Sequence, residues 1–303
     1  MSTTSTPKID LYNQDKIIYV GTANFNKNYG VGQRSSVFQR RDLDELFSEI
    51  QNNDNIYLET SQNYEGVEEL IGKYATGKLP NKIAIKISPN ISDTVISVIS
   101  MVKKSLDKVG QKSFQSVLLH NPEILSHENN VDIVHGLQQC INLGLTKSIG
   151  ISSYKSQQIL EVKKRFPQFT NFQINENVVD QKNYKNKDLI SLSKSGNKIF
   201  VRSIFLQGNL LVNYSDLPFF FTTQKEVFEN FIKLCKMNKV SQIKCCLDYA
   251  KQILWSSGIV VGINKFADLT DIVENFSSAI KVNDFSIDVL DSFYSDPRNW
   301  IDL

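Results

Sequence analysis

Cysteine is scarce in this 303-residue chain, and so are histidine, proline and tryptophan, with four, three, seven and two residues. The four cysteines, Cys140, Cys235, Cys245 and Cys246, form no Cys-x-x-Cys pair. Neither a disulfide framework nor a zinc site follows from them, and buried free thiols in a cytosolic protein are the expected state. An excess of one charge is missing too: 34 basic and 32 acidic residues leave a formal net charge of +2. Without a long basic run, this balance gives no electrostatic case for a nucleic-acid partner. Apolar runs such as Ile259–Ile263 stop at strand length, far short of the ~20 residues a membrane helix needs. Met1–Pro7 is rich in serine and threonine and lacks the basic-then-apolar order of a signal peptide. Residues 1–15 are therefore expected to be an irregular start. No stretch rich in proline, glycine or serine divides the rest, which argues for one domain.

What is present is alternation. Short β-branched runs recur between longer helical patterns. The predicted strands are Ile17–Gly21, Ile56–Glu59, Lys82–Ile87, Ser116–Leu119, Ser148–Ile151, Asn171–Ile174, Lys198–Arg202 and Ile259–Gly262. The predicted helices are Arg41–Gln51, Val67–Tyr74, Asp93–Val109, Asn130–Leu143, Tyr154–Arg165, Asn186–Ser195, Thr223–Lys251 (broken near Asn238) and Asp268–Phe276. Asp93-Thr94 reads as a helix start and Gly144 as a helix stop. Runs such as Ile17-Ile18-Tyr19-Val20 are apolar at every position, as strands covered on both faces are. Eight strand–helix units in roughly 250 residues match a closed (β/α)₈ barrel, an α/β TIM barrel. A doubly wound open sheet is the competing architecture, because alternation alone does not show closure. The barrel is expected over 16–280, with a tail over 281–303 packing near its mouth.

In such a barrel, residues just past the strand ends face the mouth. Glu59, Tyr64, Lys86 and His120 hold such positions after the second, third and fourth strands. A carbonyl reduction needs a proton donor where negative charge grows on oxygen. Tyr64 is the candidate, although an unperturbed phenol titrates near pH ~10. A neighbouring Lys86 ammonium favours the phenolate and lowers that value. Glu59 would anchor the ammonium, and His120 would meet the carbonyl oxygen. Singly, each has an ordinary reading: a packing tyrosine, a lysine reaching to solvent, a histidine capping a loop. Their combination is what points to chemistry. His127 and His135 lack such a context.

The residues around these four resemble the aldo-keto reductase family from about Ile17 to about Phe276. Leu58-Glu59-Thr60-Ser61-Gln62-Asn63-Tyr64 is similar to its Asp-Thr-Ala-x-x-Tyr segment, and Glu68-Glu69-Leu70-Ile71-Gly72 to the Glu-x-x-Leu-Gly that follows. Leu118-Leu119-His120 matches its histidine strand, and Gly144–Ser153 resembles Gly-Lys-x-Arg-x-Ile-Gly-x-Ser-Asn. Members are (β/α)₈ barrels that bind an extended nicotinamide cofactor without a Rossmann domain, and no Gly-x-Gly-x-x-Gly follows a strand here. The resemblance implies a cytoplasmic NAD(P)H-dependent oxidoreductase acting on a small carbonyl substrate, as a monomer or homo-oligomer. It implies that Gly21 and Thr22 belong to the cofactor site and that Ser152, Ser153 and Gln173 hold the carboxamide. Arg202, Ser203 and Phe205 would meet the ring and pyrophosphate, Gly262 and Lys265 the adenosine phosphates, and Glu274 and Asn275 the adenine.

Departures from the pattern bear on activity. Glu59 replaces aspartate and is one methylene longer, which would displace Lys86 by about an ångström, a shift worth roughly a hundredfold in rate. Ser153 replaces asparagine, and Arg202 stands where a stacking tyrosine is common, although a guanidinium also stacks on flat rings. These changes keep open a second reading, a catalytically weak or silent barrel that binds or regulates. The Arg202–Gly208 string resembles bacterial members found with surface-polysaccharide genes. Lys265 suits the 2′-phosphate of NADP(H), the favoured cofactor, whereas Asp271 stands where arginine is common and would repel it, leaving NAD(H) open. Phe285, Phe293, Tyr294 and Trp300 of the tail either line an apolar substrate wall or pack the tail onto the barrel, the latter being favoured.

Overall fold

The alternation closes. A computed structural model describes residues 16–26, 38–127 and 130–300, and in it eight parallel strands form a closed barrel in sequence order. The strands are β1 (Ile17–Gly21), β2 (Ile56–Ser61), β3 (Ile83–Ile87), β4 (Ser116–Leu119), β5 (Ile149–Ser153), β6 (Phe169–Asn175), β7 (Lys198–Arg202) and β8 (Gly258–Gly262). Closure is set by β1 pairing with β8, Ile17 opposite Gly258 through Gly21 opposite Gly262. The open-sheet alternative is thereby excluded. The expected irregular segment over 1–15 lies outside the described residues.

Around the barrel run α1 (Arg40–Asn52), α2 (Val67–Ala75), α3 (Val95–Val109), α4 (Val131–Asn142), α5 (Ser156–Arg165), α6 (Lys187–Lys194), α7 (Lys225–Met237), α8 (Gln242–Gln252) and α9 (Phe266–Ser277); α10 (Ser292–Ser295) lies in the tail. Local chemistry sets their ends. Thr94 caps α3 by accepting the Ser97 N–H at 3.2 Å. Gly144, at φ 70°, follows α4 in the left-handed region where a side chain is strained. The long predicted helix over 223–251 is two: α7 is capped at Asn238, Lys239 turns at φ 54°, and the Ser241 hydroxyl accepts the Lys244 N–H to start α8.

Strand residues alternate between two cores. Ile18, Val20, Ile56, Leu58, Ile83, Ile85 and their equivalents pack outward with the helices in one large cluster. The inward series forms a separate, much smaller one, in which Tyr19, Ala84 and Phe200 meet Ile17, Tyr57 and Val260. This plug fills the lower barrel, where backbones come close. A Cβ on Gly150 would lie 1.5 Å from the Asn171 carbonyl oxygen and one on Gly258 2.0 Å from that of Ile17, so only glycine fits either place. Above the plug the inward series turns polar: Glu59 on β2, Lys86 on β3, Ser152 on β5, Gln173 on β6 and Arg202 on β7. No helix among the described residues is long and apolar enough to cross a membrane.

Candidate active site

The polar upper layer opens into a cavity of about 740 Å³ whose wall includes Glu59, Tyr64, Lys86 and His120. The ladder places the first and third of these. Glu59 and Lys86 continue the inward parity of Tyr57 and Ala84, and β2 pairs with β3 so that Ser61 lies opposite Lys86. Tyr64 returns to the site through a tight turn after β2, in which its N–H donates to the Ser61 carbonyl at 3.0 Å. His120 follows β4, its backbone N–H donating to the Ile87 carbonyl at 2.8 Å. The four residues, drawn from the strings around β2, β3 and β4, line one cavity.

Lys86 is the hub. Its Nζ lies 2.5 Å from Glu59 Oε1 and donates to the Tyr64 hydroxyl oxygen at 2.9 Å. Burial opposes a charge on Lys86, but the Glu59 carboxylate and the Tyr64 phenol outweigh it, and the lysine pKa stands above its usual range. The ammonium is thus held charged against the phenol. The longer Glu59 keeps the ion pair with Lys86, and Lys86 keeps its contact to Tyr64.

His120 is neutral. Burial, then the charges of Lys86 and Arg202, pull its pKa down to about 3. Its ring stands edge-on to Tyr64, with centroids 6.4 Å apart and planes at 83°. Its Nδ1 lies 2.9 Å from Ser61 Oγ and 3.3 Å from Asn63 Nδ2. A neutral imidazole, a phenol and a fixed ammonium therefore share one mouth.

A second group shapes the rim. Arg202 and Arg298 each place a guanidinium over the Tyr154 ring, 4.0 and 4.1 Å from its centroid. The one ring therefore contacts both guanidinium groups. Arg298 is further tied to Asp296 at 2.6 Å and to Glu123 at 3.6 Å. These contacts strap Pro297 and Arg298 of the tail across the cavity wall. The tail aromatics do not form that wall. Phe293, Tyr294 and Trp300 pack with Phe220, and Phe285 meets Tyr249 edge-on.

A profile of the aldo/keto reductase family matches residues 17–294. The chain belongs to that family, a family of oxidoreductases. Similar solved structures include an aldo-keto reductase of Pseudomonas aeruginosa at 15% identity, covering 86% of this chain and 89% of that one with a TM-score of 0.61. Another is an aldo-keto reductase of Bombyx mori in complex with NADP, at 18% identity, 86% and 83% coverage and a TM-score of 0.60. A thermostable aldo-keto reductase bound to the inhibitor epalrestat gives 16% identity, 86% and 90% coverage and 0.64. At such identities these likenesses speak for the fold. No curated protein matches the chain.

Family membership implies a nicotinamide cofactor, and the residues fit one. The Gln173 Oε1 atom is buried without a hydrogen-bond partner, opposite Ser152 in the β5–β6 ladder. A buried amide oxygen left unpaired is costly; a carboxamide N–H would satisfy it, although Gln173 lies beside Ser152 rather than among the residues lining the cavity. The loop after β7 is strained as ligand-clamping loops are: Ser203, Leu206 and Gln207 all have positive φ, at 61°, 48° and 52°. Ser203, Phe205 and Gln207 line the cavity, as do Gly21, Ser152, Ser153, Arg202 and Gly262.

Other expected cofactor residues sit elsewhere. Thr22 spends its hydroxyl on Thr60 at 2.9 Å and is outside the cavity wall. Ser153 reaches the wall, yet its hydroxyl donates toward Gln158 Oε1 at 2.5 Å and accepts the Lys155 N–H at 3.0 Å. Lys265 and Glu274 are exposed, and Asn275 donates to the Asp271 carbonyl of its own helix. None of these three lines the cavity. The wall instead includes Asn24, Asn121, Glu123, Tyr154, Asp268 and Arg298. Asn121 and Tyr154 each follow a named site residue directly, a signal present in the sequence. Arg298 arrives from the tail and left none.

Proposed function

We propose that the chain reduces an aldehyde or ketone to an alcohol, with Tyr64 as general acid and NAD(P)H as the reductant. The observation that carries this reading is the Glu59–Lys86–Tyr64 chain of contacts at 2.5 and 2.9 Å, opening on the cavity beside a neutral His120. A bound nicotinamide would supply hydride to the carbonyl carbon, with Ser152 and Gln173 holding its carboxamide and the loop from Ser203 covering it. Tyr64 gives its proton to the carbonyl oxygen as the C–O double bond is broken. Lys86 stabilises the phenolate this leaves, and a proton from water restores it. Glu59 keeps Lys86 in place and neutralises its burial. His120 directs the carbonyl oxygen toward Tyr64. Tyr64→Phe is expected to lower turnover of a responsive aldehyde by about 10²–10⁴-fold while nucleotide binding, followed by fluorescence titration, persists. Unchanged turnover would overturn the assignment.

The rim supports a polar substrate. Asn121, Glu123, Tyr154, Arg202 and Arg298 present hydrogen-bonding and charged groups, and the Tyr154 ring is already engaged by two guanidinium groups. A sugar or sugar derivative fits this wall better than a flat apolar aldehyde, and the polysaccharide-associated resemblance of the Arg202–Gly208 string agrees.

The far end of the cavity bears on the cofactor. Sequence resemblance favours NADP(H) through Lys265, but among the described residues Asp268 and Asp271 line that end and Lys265 does not. A carboxylate accepts hydrogen bonds from a ribose diol and repels a 2′-phosphate dianion. This arrangement supports NAD(H) as the preferred form. Separate titrations are expected to give tighter binding of NADH than of NADPH, with Asp271→Arg narrowing the gap; tighter NADPH binding by the parent protein would refute the preference. A silent barrel is the second reading, favoured by the Ser153 hydroxyl being committed within its own loop. It predicts no turnover across a carbonyl panel.

A further inference from the structure

Ser61 stands where the family's Asp-Thr-Ala-x-x-Tyr segment has alanine, so its hydroxyl is a feature of this chain. It is fully buried at the carboxyl end of β2, and its Oγ lies 2.9 Å from His120 Nδ1. Two further contacts fix who donates. The Asn63 backbone N–H donates to the same Oγ at 3.2 Å, which leaves the Ser61 proton free to point at the imidazole. The Asn63 side-chain amide nitrogen, donor only, lies 3.3 Å from Nδ1 and donates to Ser88 Oγ at 3.1 Å. Because the amide nitrogen can only donate, Nδ1 facing it is placed to accept, and the Ser61 hydroxyl proton is free to join it.

We propose that Ser61, backed by Asn63, is a positioning residue that fixes His120 in the tautomer with its proton on Nε2. A neutral imidazole carries one N–H, and which nitrogen bears it is set by what the other nitrogen meets. With Nδ1 held as acceptor, Nε2–H becomes a donor, which is what a carbonyl oxygen gaining negative charge requires. The opposite tautomer would turn a lone pair on that oxygen. Lys86 and Arg202 work in the same direction, because both disfavour the doubly protonated ring. Ser61 touches neither substrate nor reacting atoms; it acts through His120.

This rests on the reductase reading for its consequence, though not for its first observable. Nitrogen-15 NMR of the imidazole in the ligand-free protein is expected to show Nε2–H in the parent. In Ser61→Ala an Nδ1–H population should appear, and Ser61→Thr should restore the parent spectrum. On a responsive carbonyl, Ser61→Ala is expected to lose about tenfold in kcat, the worth of one hydrogen bond, with nucleotide affinity unchanged and Ser61→Thr recovering the rate. A parent protein with its proton on Nδ1 overturns the proposal, as does an alanine variant that keeps the parent tautomer. A shifted tautomer with unchanged kcat overturns the catalytic consequence. If no carbonyl is turned over at all, the reductase reading fails and the NMR result still decides the tautomer claim.

Discussion

Two glutamates lie buried at the carboxyl ends of barrel strands, each in contact with a group that also involves a tyrosine, and they behave in opposite ways. Glu59 pairs with Lys86, which in turn holds Tyr64. Glu176, just past β6, has no lysine: it accepts the Tyr249 hydroxyl at 2.7 Å and the Asn183 N–H at 3.0 Å, and its own N–H donates to the Arg202 carbonyl. Burial, with Asp180 adding to it, pushes the Glu176 pKa up to about 8. Tyr249 is buried, stacked on Tyr184 with centroids 5.0 Å apart, and its own pKa is raised by burial and then by Glu176. One cation separates the site proposed for proton delivery from a structural clasp between β6 and α8. A lysine–carboxylate pair alone is insufficient, as the buried Lys244–Asp248 pair on α8 shows. There Lys244 also donates to the Asn275 carbonyl and Asp248 accepts the Lys281 and Val282 N–H groups. Every polar group in that pair is answered by fixed backbone, and none faces the cavity. Chemistry needs the third partner to be a titratable group on an open wall.

Removing the cation is the strongest way to break this contrast. Lys86→Met is expected to abolish turnover and to cost about 3–5 kcal/mol of stability, because Glu59 is left buried and unpaired. Lys86→Met combined with Glu59→Gln should recover most of that stability, read from denaturant midpoints, and none of the activity. Recovered activity would show that the ammonium is dispensable to Tyr64.

A smaller effect sharpens the other side. Burial holds the Glu176 carboxyl at about 8 in the fold, well above the ordinary glutamate value of 4.5. Between those values the unfolded chain releases the proton and the folded chain keeps it. Its contribution is therefore complete below pH 4.5 and is lost as pH rises through 8. Glu176→Gln should flatten the fall in Tm between pH 5 and pH 8 relative to the parent, with turnover unchanged. An unaltered pH profile would place the ionised form of Glu176 in the fold.

Much of this was readable from residues in order. Strand positions survive as apolar runs because both faces of each strand are covered, and each of the eight predicted strands overlaps an observed one. The mouth residues were legible because Glu59 and Lys86 put charge into otherwise apolar strand strings, and Tyr64 and His120 follow shortly after strand ends. Legibility ended where orientation and loops took over. Thr22 lies one step out of the inward parity, so its hydroxyl meets Thr60. Ser153 is likewise out of the inward parity that Ser152 holds, and its side chain is captured by Lys155 and Gln158. The break between α7 and α8, by contrast, falls at Asn238 as expected, with the turn at Lys239 and the Ser241 cap as its local causes.

The sequence by itself determined the eight-unit order, the approximate strand positions and the identity of Glu59, Tyr64, Lys86 and His120 as candidates, since these depend on spacing along the chain. Barrel closure, the fit of the longer Glu59 to Lys86, the Ser61–His120 contact and the strapping of Arg298 over Tyr154 were decided only in three dimensions. Each of these depends on distances between residues far apart in order, and such distances are set by packing across the barrel rather than by any local pattern.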